Sequence, residues 1–269
     1  MPVYNYIGKS YSKSRIPDGR IVDSLLNLLS LSQGSVIADI GAGTGGYSRT
    51  VADRGFLVYA VEPSSVMSLQ AIPHSKVQWL SGYAENIPLA DESVDGVICI
   101  LAMHHFSNLE KAVREMNRIT KTGSFVVFLT FDPRVGEFGK NFWLADYFPV
   151  YREFDFRLFP PINEVAELIE SSTGRNVEIS NFLLPHDLTD MFAAAGWRRP
   201  EIYLDADVRA NISALALADQ KEVDKGVARL KEDLESGRWD EKYGVIRELD
   251  VIDVGYRFLC AKGAIPTII

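Results

Sequence analysis

An α/β fold built on a doubly wound parallel sheet is predicted by three features of this 269-residue chain. Short apolar runs alternate with helical stripes along the first half of the sequence. One of these runs, starting at Val36, delivers Asp39 and then breaks into the glycine-rich turn Gly41-Ala42-Gly43-Thr44-Gly45-Gly46. A second run over residues 56–61 ends in Glu62, twenty-one residues past Gly41. A near-continuous apolar run is how a strand buried on both faces reads, and strands separated by helices imply right-handed parallel crossovers. Ligands of such sheets bind outside the carboxyl ends of the strands.

The elements follow in order. Residues 21–31 place Ile21, Val22, Leu25, Leu26, Leu28 and Leu29 on a helical stripe that lies against the first strand. The second strand covers residues 56–61, the third 77–80 and the fourth 94–101. A helix and turn at residues 115–123 precede a fifth strand over 124–131, which Asp132-Pro133 ends because proline cannot continue a central ladder. Pro160-Pro161 opens a helix to about residue 172, stopped by Gly174. Residues 177–184 alternate apolar and polar side chains, and residues 255–261 are their partner in a closing antiparallel pair.

Two segments exceed this core. Residues 138–159 hold nine aromatics, of which Trp143, Tyr147 and Tyr151 fall at helical spacing. That spacing fits a buried packing stripe, and the same rings fit the wall of a small-molecule pocket; both readings stay open. Residues 188–250 are mostly helical, with Leu215, Val223, Val227, Leu230 and Leu234 on an apolar line that Gly237 stops. The chain thus divides into a cap segment and helix (1–30), a cofactor-binding core (31–135), an aromatic insertion with a helix and sixth strand (136–186), a helical elaboration (187–250) and a last strand with its tail (251–269).

Composition narrows the function. With 47% apolar and 24% charged residues the chain buries a sizeable core in water, and a net charge of −8 gives no general attraction to a nucleic-acid backbone. No stretch approaches a membrane span, and residues 1–15 lack the apolar core of a signal peptide. Cys99 and Cys260 lie inside apolar runs as buried thiols of a reducing compartment, so a cytoplasmic address is expected. No His, Cys, Asp and Glu spacing matches a metal site.

Gly41, Gly43 and Gly46 satisfy the dinucleotide fingerprint, so glycine spacing alone leaves a nicotinamide and an adenosyl cofactor equally open. Further features separate them. Asp39 stands inside the strand end, where it can meet a cofactor ammonium. Glu62 can accept from two vicinal ribose hydroxyls. Gly82-Tyr83-Ala84-Glu85-Asn86-Ile87-Pro88 follows the third strand and suits an adenine edge, and the fourth strand exits into Ala102-Met103-His104-His105-Phe106. No tyrosine has a lysine four residues on, as a short-chain dehydrogenase would require for its proton relay.

In this order of motifs the chain resembles the class I S-adenosylmethionine-dependent methyltransferases, and among them the UbiE-like small-molecule branch. The matching residues are Asp39-Ile40-Gly41-Ala42-Gly43-Thr44-Gly45, Val61-Glu62-Pro63-Ser64, Ala84-Glu85-Asn86-Ile87-Pro88 and Ala102-Met103-His104-His105-Phe106, within residues 30–132. The family often has an acid where Tyr83 stands. The resemblance implies a Rossmann-like methyltransferase fold, a seven-stranded sheet of order 3-2-1-4-5-7-6 with a mostly helical substrate-side elaboration. It implies S-adenosyl-L-methionine as cofactor, held by Asp39, Gly41, Gly43, Gly45, Glu62, Pro63, Ala84, Glu85 and Leu101, with Tyr11 and Arg15 folding over it and Arg15 pairing with the methionyl carboxylate. A small-molecule acceptor is the expected partner. His105 is favoured over His104 as general base, because neighbours along a strand point to opposite sides. His186 is a second candidate base and His74 reads as surface. The alternatives are an NAD(P)-dependent oxidoreductase and a non-catalytic S-adenosylmethionine-binding partner protein; O-, N- and C-methylation stay open.

Overall fold

The computed structural model describes residues 14–137 and 142–263. Seven strands form the main sheet: β1 (Val36–Ile40), β2 (Leu57–Val61), β3 (Val77–Leu80), β4 (Val94–Ile100), β5 (Thr120–Phe131), β6 (Asn176–Asn181) and β9 (Tyr256–Lys262). A separate two-residue pair joins β7 (Leu184–Pro185) to β8 (Val251–Ile252). The main sheet runs β3-β2-β1-β4-β5-β9-β6, parallel from β3 to β5 and antiparallel on both sides of β9. Counted over the seven strands alone, this is the order 3-2-1-4-5-7-6.

Alternation within the strands explains why both faces are covered. Ile37, Ile98 and Val127 pack on one face with the Gly19–Leu29 helix, whose Ile21, Val22, Leu25 and Leu29 are fully buried. Their neighbours Ala38, Val97 and Val126 pack on the other, against the Leu109–Ile119 and Ile162–Thr173 helices. Successive side chains of a strand point to opposite faces, so an apolar run can supply two cores at once. Trp143, Tyr147, Tyr151, Tyr203 and Trp239 all join the first core, which fixes the helical elaboration to that face.

Several expected boundaries move. β4 ends at Ile100, because Leu101 takes a positive φ of 49° and turns the chain. β5 begins directly after the helix at Thr120, with a register shift opposite Val94 and Gly96 and a positive φ of 80° at Gly123. The sixth strand stops at Asn181, since Leu184 is fully buried and pairs with Ile252 away from the main sheet. Trp143, Tyr147 and Tyr151 are buried as the stripe requires, but not on one helix. Pro149 excludes helical geometry at the preceding Phe148 (φ −128°, ψ 74°), splitting the segment into Leu144–Tyr147 and Pro149–Leu158. Gly237 ends the Gln220–Ser236 helix with φ 80°, and Gly174 ends Ile162–Thr173 with φ 70°. Leu215 lies on a separate short helix, Ser213–Ala216. Phe138 and Tyr11 fall outside the described residues.

Candidate functional site

β1 carries Asp39 to the carboxyl edge of the sheet, where it is 2% exposed and pairs in register with Ala60 and Ile98. Its carboxylate accepts from the Ser48 hydroxyl at 2.6 Å. Burial pushes its pKa up to about 7, the Ser48 hydrogen bond opposes the rise, and the nearby Glu62 charge adds to it. Gly41, with φ 77°, then turns the chain; its N–H and that of Ala42 both donate to the Val61 carbonyl, at 2.9 and 3.1 Å. A Cβ on Gly41 would lie 2.5 Å from the Ala102 Cβ, so this position requires glycine for conformation and for space.

Glu62 leaves β2 and holds the turn from the other side. It accepts from the Gly43 N–H at 2.9 Å and from the Ser64 N–H at 2.8 Å, while burial raises its pKa against those two donors. At Gly45 the structure supplies a packing reason for glycine. A Cβ there would sit 2.4 Å from the Trp79 ring, so its smallness is spent on packing, and its φ of 73° caps the Gly46–Asp53 helix.

Against this turn lies a cavity of about 420 Å³ lined by Asp39, residues 41–44, Tyr47, Arg15 and Asp190. Arg15 donates to both Asp190 oxygens, through Nε and, at 3.2 Å, Nη2, and the Tyr47 hydroxyl donates to Asp190 at 2.8 Å. The expected role of Arg15 toward a methionyl carboxylate therefore meets a carboxylate already present on the protein. Glu62, Pro63, Ala84 and Glu85 do not line this cavity. Glu85 instead accepts from the Ser107 N–H and hydroxyl and from the Asn108 N–H, at 2.7, 2.9 and 3.1 Å. Burial pushes its pKa up, but those donors outweigh it and hold the carboxyl below its ordinary value. Ala84 is buried beside it.

A second cavity, of about 500 Å³, adjoins the first: Arg15 lines both, and Ile100 lines one while Leu101 lines the other. Its wall is a run of touching rings. Phe159 meets His104 at 4.3 Å between centroids and Phe131 at 5.3 Å, Phe131 meets Tyr256 at 4.8 Å, and Tyr256 meets Phe192 at 4.7 Å. Phe154 and Asp155 complete it from the Pro149–Leu158 helix.

His104, and not the favoured His105, faces this cavity. Residues 103–105 form a 3₁₀ turn, so the two-residue alternation of a strand does not apply to them. The two imidazoles lie 3.9 Å apart. Burial lowers the His104 pKa well below its ordinary value, with His105 and Arg15 adding to the effect, and burial with Arg15 brings His105 down to about 4. Both rings are neutral at pH 7. His186 is half-buried, with its Nδ1 3.3 Å from the Asp250 carbonyl, and lines neither cavity. His74 is 3.4 Å from Asp53.

Tyr47, Asp190, Phe131, Phe192 and Tyr256 were not legible as site residues, because no local pattern links them; Asp190 lies 175 residues from Arg15. Asp155 carried a signal, an acid set between Phe154 and Phe156.

A family model described as a methyltransferase domain matches residues 38–128. A putative methyltransferase from an antibiotic biosynthesis pathway of Anabaena variabilis is 55% identical in sequence and superposes with a TM-score of 0.89, over 93% of this chain and 99% of that one. The ubiquinone/menaquinone biosynthesis C-methyltransferase UbiE of Rubrivivax gelatinosus is 30% identical over 167 residues, 61% of this chain and 63% of that protein, so the chain spans less than two thirds of this relative. A phosphoethanolamine N-methyltransferase of Haemonchus contortus, 20% identical with a TM-score of 0.59 over 97% of this chain and 56% of that one, shares the fold. Among the described residues no helix is long and apolar enough to cross a membrane.

Proposed function

Because the chain belongs to the class I S-adenosylmethionine-dependent methyltransferases, we propose that it methylates a small, ring-bearing molecule held in the phenylalanine-walled cavity, with His104 as the proton acceptor. The observation that carries this reading is the junction of the two cavities at Arg15 and at the Ile100 to Leu101 turn. One compartment is polar and glycine-lined, the other apolar and aromatic, and they meet beside an imidazole.

The residues of the first compartment, with those at the strand ends beside it, fit the cofactor. Asp39 has a single protein hydrogen-bond donor on its carboxylate among the described residues, and its raised pKa means that a cationic group beside it would be strongly favoured. Gly41 and Gly43 let the backbone approach a ligand without a Cβ between. Each Glu62 oxygen accepts one N–H and keeps capacity for a second donor, as two ribose hydroxyls would supply. Pro63 and Ala84, outside the lining of that cavity, and Leu101, which lines the second, would edge the adenosyl side, with Glu85 as a positioning residue that fixes the turn to Ser107 and Asn108. Bound S-adenosylmethionine supplies an electrophilic methyl carbon on a positively charged sulfur.

Methyl donation from a sulfonium is downhill, so this chain has chiefly to orient the acceptor and exclude water. The rings of Phe131, Phe159, Phe192 and Tyr256 do both. A neutral His104 can accept a proton, and a weak base suffices: the proton of a hydroxyl or of a neutral amine becomes far more acidic as its heteroatom gains a bond to carbon. Formation of S-adenosylhomocysteine, followed across a panel of ring-bearing phenols, alcohols and amines, tests the activity. Turnover that is unchanged in His104→Ala at every pH would remove the base role, and a protein whose melting ignores S-adenosylhomocysteine would remove the cofactor role.

A further inference from the structure

The second cavity is walled mainly by rings and aliphatic side chains, with Arg15, His104, Asn211 and Ser213 among its lining, and one carboxyl group also opens into it. Asp155 is 4% exposed, and its Oδ2 has no hydrogen-bond partner among the described residues. A buried polar atom left unmade costs a fold stability, so a cavity that retains one without a ligand has a use for it when filled. His104 lines the same cavity, and its Nδ1 is also buried without a hydrogen-bond partner among the described residues. Phe159 stands between them. Its N–H donates to the Asp155 carbonyl at 2.9 Å and its ring lies against His104. Two polar handles therefore open into one ring-lined space, as in a pocket that orients a guest by a few placed polar groups.

We infer that Asp155 is a specificity-determining residue whose carboxyl O–H donates a hydrogen bond to a carbonyl or hydroxyl oxygen of an uncharged, ring-bearing acceptor. The assignment rests on the second cavity being the acceptor site. An uncharged guest is favoured over an ammonium for two reasons. The Arg15 guanidinium lines the same space and disfavours a second cation. Among the described residues the phenols Tyr151 and Tyr256 face Asp155 without bringing a positive charge, and Arg15, the cation that lines the same cavity, is held in its ion pair with Asp190. Burial raises its pKa well above the ordinary carboxylate value, which keeps the donor proton in place at neutral pH.

The test measures binding to protein saturated with S-adenosylhomocysteine, using 4-hydroxyacetophenone as the oxygen-bearing uncharged probe, tyramine as the cationic one and toluene as the ring alone. Wild type should bind 4-hydroxyacetophenone at least roughly tenfold more tightly than tyramine, the worth of one buried hydrogen bond. Asp155→Asn keeps a donor and should bind it within about threefold of wild type, whereas Asp155→Leu should lose roughly tenfold and bind toluene undiminished. Both variants should melt no lower than wild type, since Asp155→Leu removes an unsatisfied polar group and Asp155→Asn exchanges it for a neutral amide of the same shape. Tighter binding of tyramine that Asp155→Asn abolishes would replace the inference with an aspartate-ammonium pair. Indifference of 4-hydroxyacetophenone to Asp155→Leu, or a marked loss of melting temperature in Asp155→Asn, would overturn it. If toluene binds and the oxygen gains nothing, only the role of Asp155 falls. If no probe binds, the acceptor cavity falls with it.

Discussion

Replacing Asp39 with asparagine should make the ligand-free protein more stable while disabling it. The carboxyl is 2% exposed and its pKa rises from 3.8 to about 7, chiefly through burial. A folded-state pKa above the unfolded value means that the folded protein binds the extra proton, so stability falls as pH rises from about 4 through about 7. A shift of that size is worth about 4 kcal/mol well above pH 7, and the linkage relation assigns about 2 kcal/mol of it to the interval between about pH 5.5 and about pH 8. Asparagine is close in shape and can still accept from the Ser48 hydroxyl, so Asp39→Asn removes the ionisation and little else. Urea denaturation of wild type and variant at the two pH values reads the difference directly, because every other titrating group is common to both. The variant's advantage should grow by about 2 kcal/mol at the higher pH. Saturating S-adenosylhomocysteine should then reverse the ranking, stabilising wild type by about 3 kcal/mol at a hundredfold excess over Kd and the variant far less. An advantage that does not change with pH, or equal stabilisation of both proteins by the ligand, would refute this role for Asp39.

Other perturbations follow from the same geometry. Gly41→Ala combines a positive φ with a 2.5 Å approach to the Ala102 Cβ, and should cost about 2–4 kcal/mol in chemical denaturation, together with loss of S-adenosylhomocysteine binding. His104→Ala should reduce turnover by roughly a hundredfold or more with little change in cofactor affinity, whereas His105→Ala should do much less; kinetics with an identified acceptor decide between them. Gly226 packs the Gln220–Ser236 helix onto the aromatic insertion, where a Cβ would lie 2.3 Å from the Tyr147 carbonyl. Gly226→Ala should therefore destabilise by about 1–3 kcal/mol, seen as a lower melting temperature, without altering cofactor affinity in the protein that remains folded.

The parallel core was legible because its physics is local. A strand buried on both faces must be an apolar run, and a turn that brings backbone against Ala102 must be glycine, so Val36 to Gly43 states its structure in its own letters. The ends of elements were less legible where a neighbour decides them. β6 stops at Asn181 because Leu184 is drawn into another pair, and Pro149 splits a helix that the spacing of Trp143, Tyr147 and Tyr151 would otherwise continue. Which of His104 and His105 lines the ring-walled cavity could not be read from a strand's alternation, because a 3₁₀ turn does not alternate sides. Arg15 presented a cation where a carboxylate ligand was expected, and only the fold reveals that Asp190 meets it from the far end of the chain.

The central claim is that the glycine turn and the ring-walled cavity serve one reaction across their shared boundary. A crystal structure with S-adenosylhomocysteine tests it most directly. The amino group should lie at Asp39, the ribose at Glu62 and the sulfur at the Leu101 turn, open toward His104. A ligand seated inside the ring-walled cavity, or one whose sulfur faces away from His104, would contradict the account.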